Sequence, residues 1–120
     1  SGASPRSSTG QVSTRQSLGL TVQPLTPAMA RRMQITDASV RGLVVGTVDQ
    51  NSDAAVKGIQ PGDIILSINQ VPTPTAEVAA TVVDAARRAG RRSVLLLIRR
   101  GATPPAYVGV ELTRPAAPAR

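Results

Sequence analysis

The chain has 120 residues, a length that suits one folded domain with additional segments at its ends. It contains no Cys and no His, which excludes disulfide bonds, thiolate or His-based zinc sites, and Ser-His-Asp or Cys-His catalysis within this sequence. The formal net charge of +7 makes a nucleic acid or a membrane surface a candidate partner. The seven carboxylates are scattered along the sequence, so we expect no catalytic residue, no metal and no cofactor on this chain.

Both ends differ in composition from the middle of the chain. Residues 1–16 are rich in Ser, Thr and Gly and are predicted to form a flexible linker. Residues 115–120, PAAPAR, are predicted to form a disordered tail. The folded domain is therefore expected to span residues 17–114, and part of the positive charge lies outside it.

The first predicted elements are a strand and a helix. Residues 18–23 alternate apolar with small or polar side chains, which is typical of a strand, and Pro24 limits its far end. Thr26 and Pro27 form a helix start, because Thr caps free amides and Pro suits the first helical position. The apolar side of this helix is predicted to consist of Met29, Ala30 and Met33.

A second strand, a short helix and a third strand follow. Residues 43–48 form the strand, in which Gly46 indicates a bulge or a close approach of two backbones. Residues 51–53, Asn-Ser-Asp, are predicted to cap a short helix that ends at Gly58. Residues 63–69 form the third strand, after the turn residues Pro-Gly.

The last third of the sequence predicts a long helix and two strands. Thr73 and Pro74 are predicted to start a helix over 74–89, whose apolar stripe is wider than one core-facing seam. The apolar run within residues 93–99 predicts a strand buried on both faces, and residues 107–113 predict the last strand. The order of elements is that of an α+β domain with a small, mostly antiparallel sheet and two main helices.

Four stretches of this sequence together resemble a PDZ domain of the HtrA/DegP family of trypsin-like serine proteases. They are LGLTVQPL at 18–25, GLVVGTVDQNSDAAVKGIQPGDIILSINQ at 42–70, TPTAEV at 73–78 and SVLLLIRRG at 93–101. The second stretch is the most specific, and the resemblance covers about the whole predicted domain. The opening LGLTVQPLTP is most similar to the second, C-terminal PDZ domain of these proteases.

The resemblance implies a fold, a role and a location. The fold is a PDZ-like small antiparallel sheet or partial barrel in the circularly permuted bacterial topology, with the ligand-binding strand first and an additional strand last. The role is recognition of hydrophobic C-termini of substrate or regulatory polypeptides for a periplasmic serine protease and chaperone in protein quality control. The parent protein is then a trypsin-like serine endopeptidase of the bacterial cell envelope. The partners that the resemblance implies are C-terminal or extended hydrophobic peptides, the protease domain and other PDZ domain of the parent chain, and a homo-oligomer formed through the parent protein.

The resemblance also implies the residues of the site. Ser17, Leu18, Gly19 and Leu20 match the loop that binds a terminal carboxylate through backbone amides. Thr21, Val22 and Gln23 follow as the strand that pairs with the peptide. The groove and pocket are implied to be lined by Ile68, Ala79, Val82, Val83 and Ala86, with Leu18 and Leu20 in the pocket floor.

Two details of this implied site follow from the residue types. For Ala79 and Val83, helix core and groove lining are both open interpretations. Ala79 stands where many PDZ domains have a His that reads a ligand hydroxyl, which favours apolar C-termini with little further selection.

Three other functions compete with peptide recognition. The domain could serve only the assembly of protease subunits, without binding peptides. It could be a PDZ domain from another setting, such as a secretion channel or an intramembrane protease. The basic residues of 87–92, RRAGRR, could contact nucleic acid, but Tyr107 is the only aromatic residue, so base stacking is poorly supported. We expect no nucleic-acid partner, and no membrane insertion because the longest apolar run, 94–98, is far too short.

Overall fold

The computed structural model describes residues 17–35, 40–101 and 103–112. The predicted linker 1–16 and the predicted tail 115–120 lie outside the described residues. The strands are β1 Leu20–Pro24, β2 Leu43–Val48, β3 Ile64–Ile68, β4 Val71–Pro72, β5 Ser93–Arg99 and β6 Ala106–Glu111. The helices are α1 Pro27–Arg32, α2 Asp53–Val56 and α3 Ala76–Arg88.

The strands form one antiparallel sheet. Its order is β1-β2-β3-β5-β6, and the short strand β4 pairs with β3 beside this path. The two ends of the order are therefore β1, the first strand of the chain, and β6, the last described strand. The predicted α+β class and the small antiparallel sheet are confirmed as an open sheet with helices. Within the described residues, no helix is long and apolar enough to cross a membrane.

Each helix begins at a hydroxyl side chain that accepts a hydrogen bond from a backbone amide. The acceptor is Thr26 for α1, Ser52 for α2 and Thr75 for α3. The first two starts agree with the prediction, but the expected start of α3 at Thr73 is wrong. Thr73 is fully buried and its amide donates to Leu66 O at 3.3 Å, so it continues the pairing of β4 with β3.

The helix α3 packs one face against β1, β3 and β5. Its buried residues are Ala76, Ala79, Ala80, Val83 and Ala86, which recur at helical spacing. Small side chains let the helix approach the sheet closely. They join the main hydrophobic core, whose largest members include Leu18, Leu20, Leu43, Ile65, Ile68 and Leu96.

A second, smaller cluster lies on the other part of the sheet. Ile35, Val44 and Ile64 are buried there, and the predicted apolar side of α1 packs on them through Met29, Ala30 and Met33. This helix thus covers β2 and β3 away from the main core. The two clusters explain why Val44 and Val45, adjacent in β2, are both buried.

The prediction that β5 is buried on both faces is wrong. Its side chains alternate between buried and exposed, with Val94, Leu96 and Ile98 in the core and Leu95 36% exposed. Helix α3 covers one face of β5, and the opposite face of this strand is open to solvent at Leu95. A continuous apolar run therefore did not distinguish a doubly covered strand from a singly covered one.

The turn between β3 and β4 has an uncommon backbone. Asn69 has φ 51° and Gln70 has φ 67°, so both central residues of the two-residue hairpin lie in the left-handed region, as in a type I′ turn. Asn69 also hydrogen-bonds β5 twice: its amide donates to Leu95 O at 2.7 Å, and its Oδ1 accepts from Leu95 N at 2.9 Å. These two hydrogen bonds connect the turn to β5, a strand that does not adjoin it in sequence.

Candidate functional site

The two ends of the sheet differ in what lies against them. Helix α2 caps β6: Lys57 Nζ donates to Gly109 O at 3.0 Å, and Asp53 Oδ2 accepts from Glu111 N at 2.8 Å. Lys57 and Asp53 also pair with each other at 2.8 Å. These bonds occupy backbone groups that a further strand would need. The opposite terminal strand, β1, instead faces α3.

The hydrogen-bonding directions of β1 follow from its pairing with β2. Gly19 O accepts from Asp49 N at 2.7 Å, and Leu25 N donates to Gly42 O at 3.0 Å, so both groups point toward β2. Backbone groups alternate in direction along a strand. The N–H and C=O groups of Leu20 are therefore directed toward the edge beside α3.

A β-bulge interrupts the β1–β2 pairing. The register shifts between Thr21 and Val22, where Gly46 is the extra residue of β2. Thr21 Oγ1 lies 2.9 Å from Thr47 Oγ1 and accepts from Thr47 N at 2.9 Å. A Cβ on Gly46 would lie 2.9 Å from Thr21 Oγ1, so glycine is required for this contact. The predicted bulge or close approach at Gly46 is confirmed.

The predicted carboxylate loop, Ser17 to Leu20, precedes β1 directly. Ser17 and Leu18 are helical, and Gly19 has φ 77°, in the left-handed region. A right-handed residue followed by a left-handed one turns successive N–H groups toward a common point, which makes a concave site for an anion. Helical Leu18 followed by left-handed Gly19 gives this loop that order of backbone conformations.

Ser52, the N-cap of α2, packs closely against Gly19 of the loop. A Cβ on Gly19 would overlap Ser52 Cβ and lie 2.9 Å from its Oγ. Ser52 is buried, and its hydroxyl donates to Asp49 O at 2.6 Å. The absence of a side chain at position 19 thus serves both the left-handed turn and close packing on α2.

The structure brings the predicted groove residues together. Ile68, Ala79, Val83 and Ala86 are buried and belong to the same core cluster as Leu18 and Leu20. Val82 is half-buried and packs against the edge of that cluster. Ala79 and Val83 are therefore core residues of α3 in this structure. The strand β1 and the helix α3 converge on them, so the wall beside β1 is apolar.

Sequence reasoning missed one residue at this site. Arg87, in the last turn of α3, donates from Nη2 to Ser17 Oγ at 2.7 Å. The sequence indicated Arg87 only as part of the basic run 87–92. The two residues are 70 positions apart in sequence, and no periodicity connects them.

Two surface cavities lie near the loop but outside the space between β1 and α3. One of about 480 Å³ is lined by residues that include Val48, Val56 and Ile59. Another of about 350 Å³ is lined by Gly19, Thr47, Val48 and Asp49. Neither lining includes a residue of α3. An added strand uses a sheet edge and not an enclosed cavity, so these cavities do not mark the groove.

Comparisons with known proteins agree with this geometry. The family model for the PDZ domain matches residues 8–99. A probable periplasmic serine endoprotease DegP-like from Brucella suis is 38% identical over 90 residues, which are 75% of this chain and 15% of that protein. A relative of the same name from Chlamydia trachomatis is 31% identical over 90 residues, 75% of this chain and 17% of that one. The chain thus spans less than a fifth of the length of these relatives.

Solved structures give the same result. The HtrA-type protease AlgW with a tripeptide has a TM-score of 0.64 at 26% identity, covering 82% of this chain and 31% of that chain. The HtrA3 PDZ domain bound to a phage-derived ligand, FGRWV, has a TM-score of 0.56 at 24% identity, covering 78% and 79%. At 24% identity, the similarity to the HtrA3 PDZ domain shows only a shared fold. With the family model matched over most of the described residues, the chain belongs to the PDZ domain family.

Proposed function

We propose that this PDZ domain binds the C-terminal end of a polypeptide as an added strand between β1 and α3. One observation supports the proposal: the strand beside α3 follows a loop in which helical Leu18 precedes left-handed Gly19, an order of conformations that can turn amides toward an anion. A peptide that extends along this strand would present its terminal carboxylate to the loop. The solved AlgW structures carry peptides, which supports the same use here.

The strand would pair through the residues whose backbone groups point toward α3. By alternation Leu20 points that way, while Thr21 and Gln23 pair with β2. The proposed pairing segment is thus Leu20–Gln23, with the hydrogen bonds to the ligand made at alternate positions.

The proposed ligand ends in an apolar residue. Its last side chain would lie against Leu18, Leu20 and Ile68 on one side and the Val82–Val83 part of α3 on the other, all apolar. Ala79 offers no hydrogen-bonding group for a Ser or Thr hydroxyl. A site of this kind binds with micromolar affinity, worth about 8 kcal/mol.

We further propose the setting of the domain. The curated relatives that match are DegP-like periplasmic serine endoproteases, and the chain spans a small part of each. The domain would recruit substrates, or signal their presence, for such a protease in bacterial envelope quality control, as its second PDZ domain. The sequence upstream tests this: we expect a trypsin-like domain with a Gly-Asn-Ser-Gly-Gly nucleophile segment, then another PDZ domain.

The binding proposal is tested by NMR titration with a peptide that ends in an apolar residue. We expect shifts concentrated in residues 17–23 and 78–86, with saturation in the micromolar to millimolar range. If these residues do not shift at millimolar peptide, the domain does not recruit C-termini, and a role in subunit assembly is the better interpretation.

A matched pair of variants on α3 tests whether the peptide binds beside Val82. Val82→Glu places a carboxylate at the half-buried edge of the groove, beside the proposed ligand. Thr81→Glu adds the same charge one residue earlier, at an exposed position. We expect Val82→Glu to weaken peptide binding at least about tenfold, since like charges and lost apolar contact both oppose the ligand. Thr81→Glu should bind as the wild type does.

A further inference from the structure

The outer face of β5 and β6, on the side of the sheet away from α3, carries exposed apolar side chains. Alternate residues of β5 point into the main core, so Leu95 and Leu97 point outward. Tyr107 is paired with Leu97, and directly opposed residues of an antiparallel pair lie on the same face. Leu95 is 36% exposed and Tyr107 is 54% exposed. Helix α1 covers the neighbouring part of this face, over β2 and β3, so the open area is confined to β5 and β6.

Gly109 makes this outer face uneven. It is paired with Leu95 and lies two positions after Tyr107 in β6, so it belongs to the same face. A Cβ at Gly109 would meet nothing within 4 Å, so the space above the strand is open at this point. Since residues two apart in a strand are separated by about 7 Å, the Tyr107 ring stands directly beside this gap.

The two ends of the outer face carry opposite charges. Arg99 continues the outward row of β5 at one end. Glu111 is exposed at the other end, where it is paired with Ser93. The two ends lie about 20 Å apart along β5, at about 3.3 Å per residue. The nearby Arg92 is hydrogen-bonded to Leu112, which packs on the main core, so Arg92 belongs to the opposite face.

We propose that the outer face of β5 and β6 binds a second copy of this chain, face to face. The two-fold axis would run between the two sheets, perpendicular to the strands and midway between Tyr107 and Gly109. This axis reverses the strand direction, so each Tyr107 ring lies over the other copy's Gly109, and the leucines of β5 lie over one another. It also brings the Arg99 end of one copy over the Glu111 end of the other.

The face is therefore complementary to itself in shape and in charge, as a two-fold contact requires. An axis parallel to the strands would instead place like charges together. The inference goes beyond the proposed function and does not depend on it, because β1 and α3 lie at the other end and on the other side of the sheet. So small a face is below the size of a stable dimer interface, and we expect reversible association on the order of hundreds of micromolar.

Sedimentation velocity and NMR spectra of the whole chain, from about 10 μM to about 1 mM, test the association. We expect the weight-average mass to rise toward that of a dimer, with concentration-dependent shifts in residues 93–99 and 106–111. A mass that stays monomeric up to the highest concentration overturns the inference, as do shifts confined to other parts of the chain.

A matched pair of variants on β6 tests the gap at Gly109. Gly109→Gln fills the space that the other copy's Tyr107 would occupy, so we expect it to weaken association at least about tenfold. Its own fold should be retained, because a Cβ there meets no other group. Ala106→Gln adds the same side chain at an exposed position opposite the core residue Ile98, on the other face, and should associate as the wild type does. Equal association of Gly109→Gln and the wild type would show that this face is not the contact.

A charge exchange tests the direction of the two-fold axis. Arg99→Glu and Glu111→Arg should each weaken association about fivefold, since each places like charges together at both symmetric ends. The double variant Arg99→Glu with Glu111→Arg restores opposite charges and should recover most of the wild-type association. If the double variant associates no better than the single variants, the two residues do not meet across the contact and the proposed geometry is wrong.

Discussion

The buried carboxylate of Asp63 accepts two hydrogen bonds from the guanidinium of Arg100, Nε to Oδ1 and Nη2 to Oδ2, each 2.8 Å long. Asp63 is only 2% exposed, and its Oδ2 also accepts from Gln60 N at 2.9 Å. Arg100 in addition donates to Gly58 O at 2.9 Å. This one carboxylate thus joins the turn before β3 to the end of β5.

Asp63→Ala should lower the free energy of unfolding by about 2–4 kcal/mol, because it leaves the Gln60 amide without its acceptor and removes both bonds from Arg100 to a buried carboxylate. Urea unfolding followed by circular dichroism measures this. Asp84→Ala on α3, which removes the same charge, is the control and should change stability by less than about 0.5 kcal/mol. An equal loss in the two variants would contradict the role given to Asp63.

Gly19→Ala should destabilise the domain more than Gly90→Ala does. Both glycines have positive φ, 77° and 82°, so both variants carry left-handed strain of about 1 kcal/mol. Only a Cβ at position 19 meets another group, Ser52, whereas a Cβ at position 90 would have nothing within 4 Å. We expect a total loss of about 2–4 kcal/mol at Gly19, measured by thermal and urea unfolding.

The acid dependence of stability should depend on Asp53. The hydrogen bond from Glu111 N, and then that from Lys57, lower the pKa of the Asp53 carboxyl, and burial opposes this. A carboxyl with a lowered folded-state pKa stabilises the fold above its unfolded pKa of about 3.9, and the contribution is lost as the pH falls through the folded-state pKa. Asp53→Asn should therefore show a shallower loss of stability than the wild type between about pH 5 and about pH 2.

A second variant tests how much the Lys57 hydrogen bond contributes to this acid dependence of stability. Lys57→Met removes the smaller of the two stabilising hydrogen bonds and keeps the one from Glu111, so its acid dependence should lie between those of the wild type and Asp53→Asn. Urea unfolding at intervals of pH gives the three slopes. If Asp53→Asn follows the wild-type slope, the cap on β6 does not contribute to acid sensitivity.

Gln70→Gly should stabilise the domain by about 1 kcal/mol. Gln70 has φ 67° in the hairpin turn between β3 and β4, where glycine carries no steric penalty and Gln does. Gln50→Gly serves as the control, because Gln50 is not among the residues with positive φ and glycine there only adds freedom to the unfolded chain. Thermal unfolding should show opposite changes in the melting temperature. A lower melting temperature for Gln70→Gly would contradict the strain assigned to this turn.

Much of the local structure could be predicted because it depends on neighbouring residues. Thr26 with Pro27, Ser52 and Gly46 each indicated a helix cap or a bulge that the structure contains. The sequence could not show whether α3 begins at Thr73 or at Thr75, because both side chains have the hydroxyl that an N-cap residue needs. The choice between them depends on Thr73 N pairing with Leu66, which belongs to another element.

The sequence by itself determined the element types, the α+β class and the resemblance to PDZ domains, since these rest on spacing and on residues close together in the chain. Only the tertiary structure decided what lies beside each sheet edge: Asp53 and Lys57 cap β6, while α3 packs beside β1. It also decided that Arg87 stands at the loop through Ser17, 70 residues away. Both facts depend on contacts between distant segments, which no local pattern encodes.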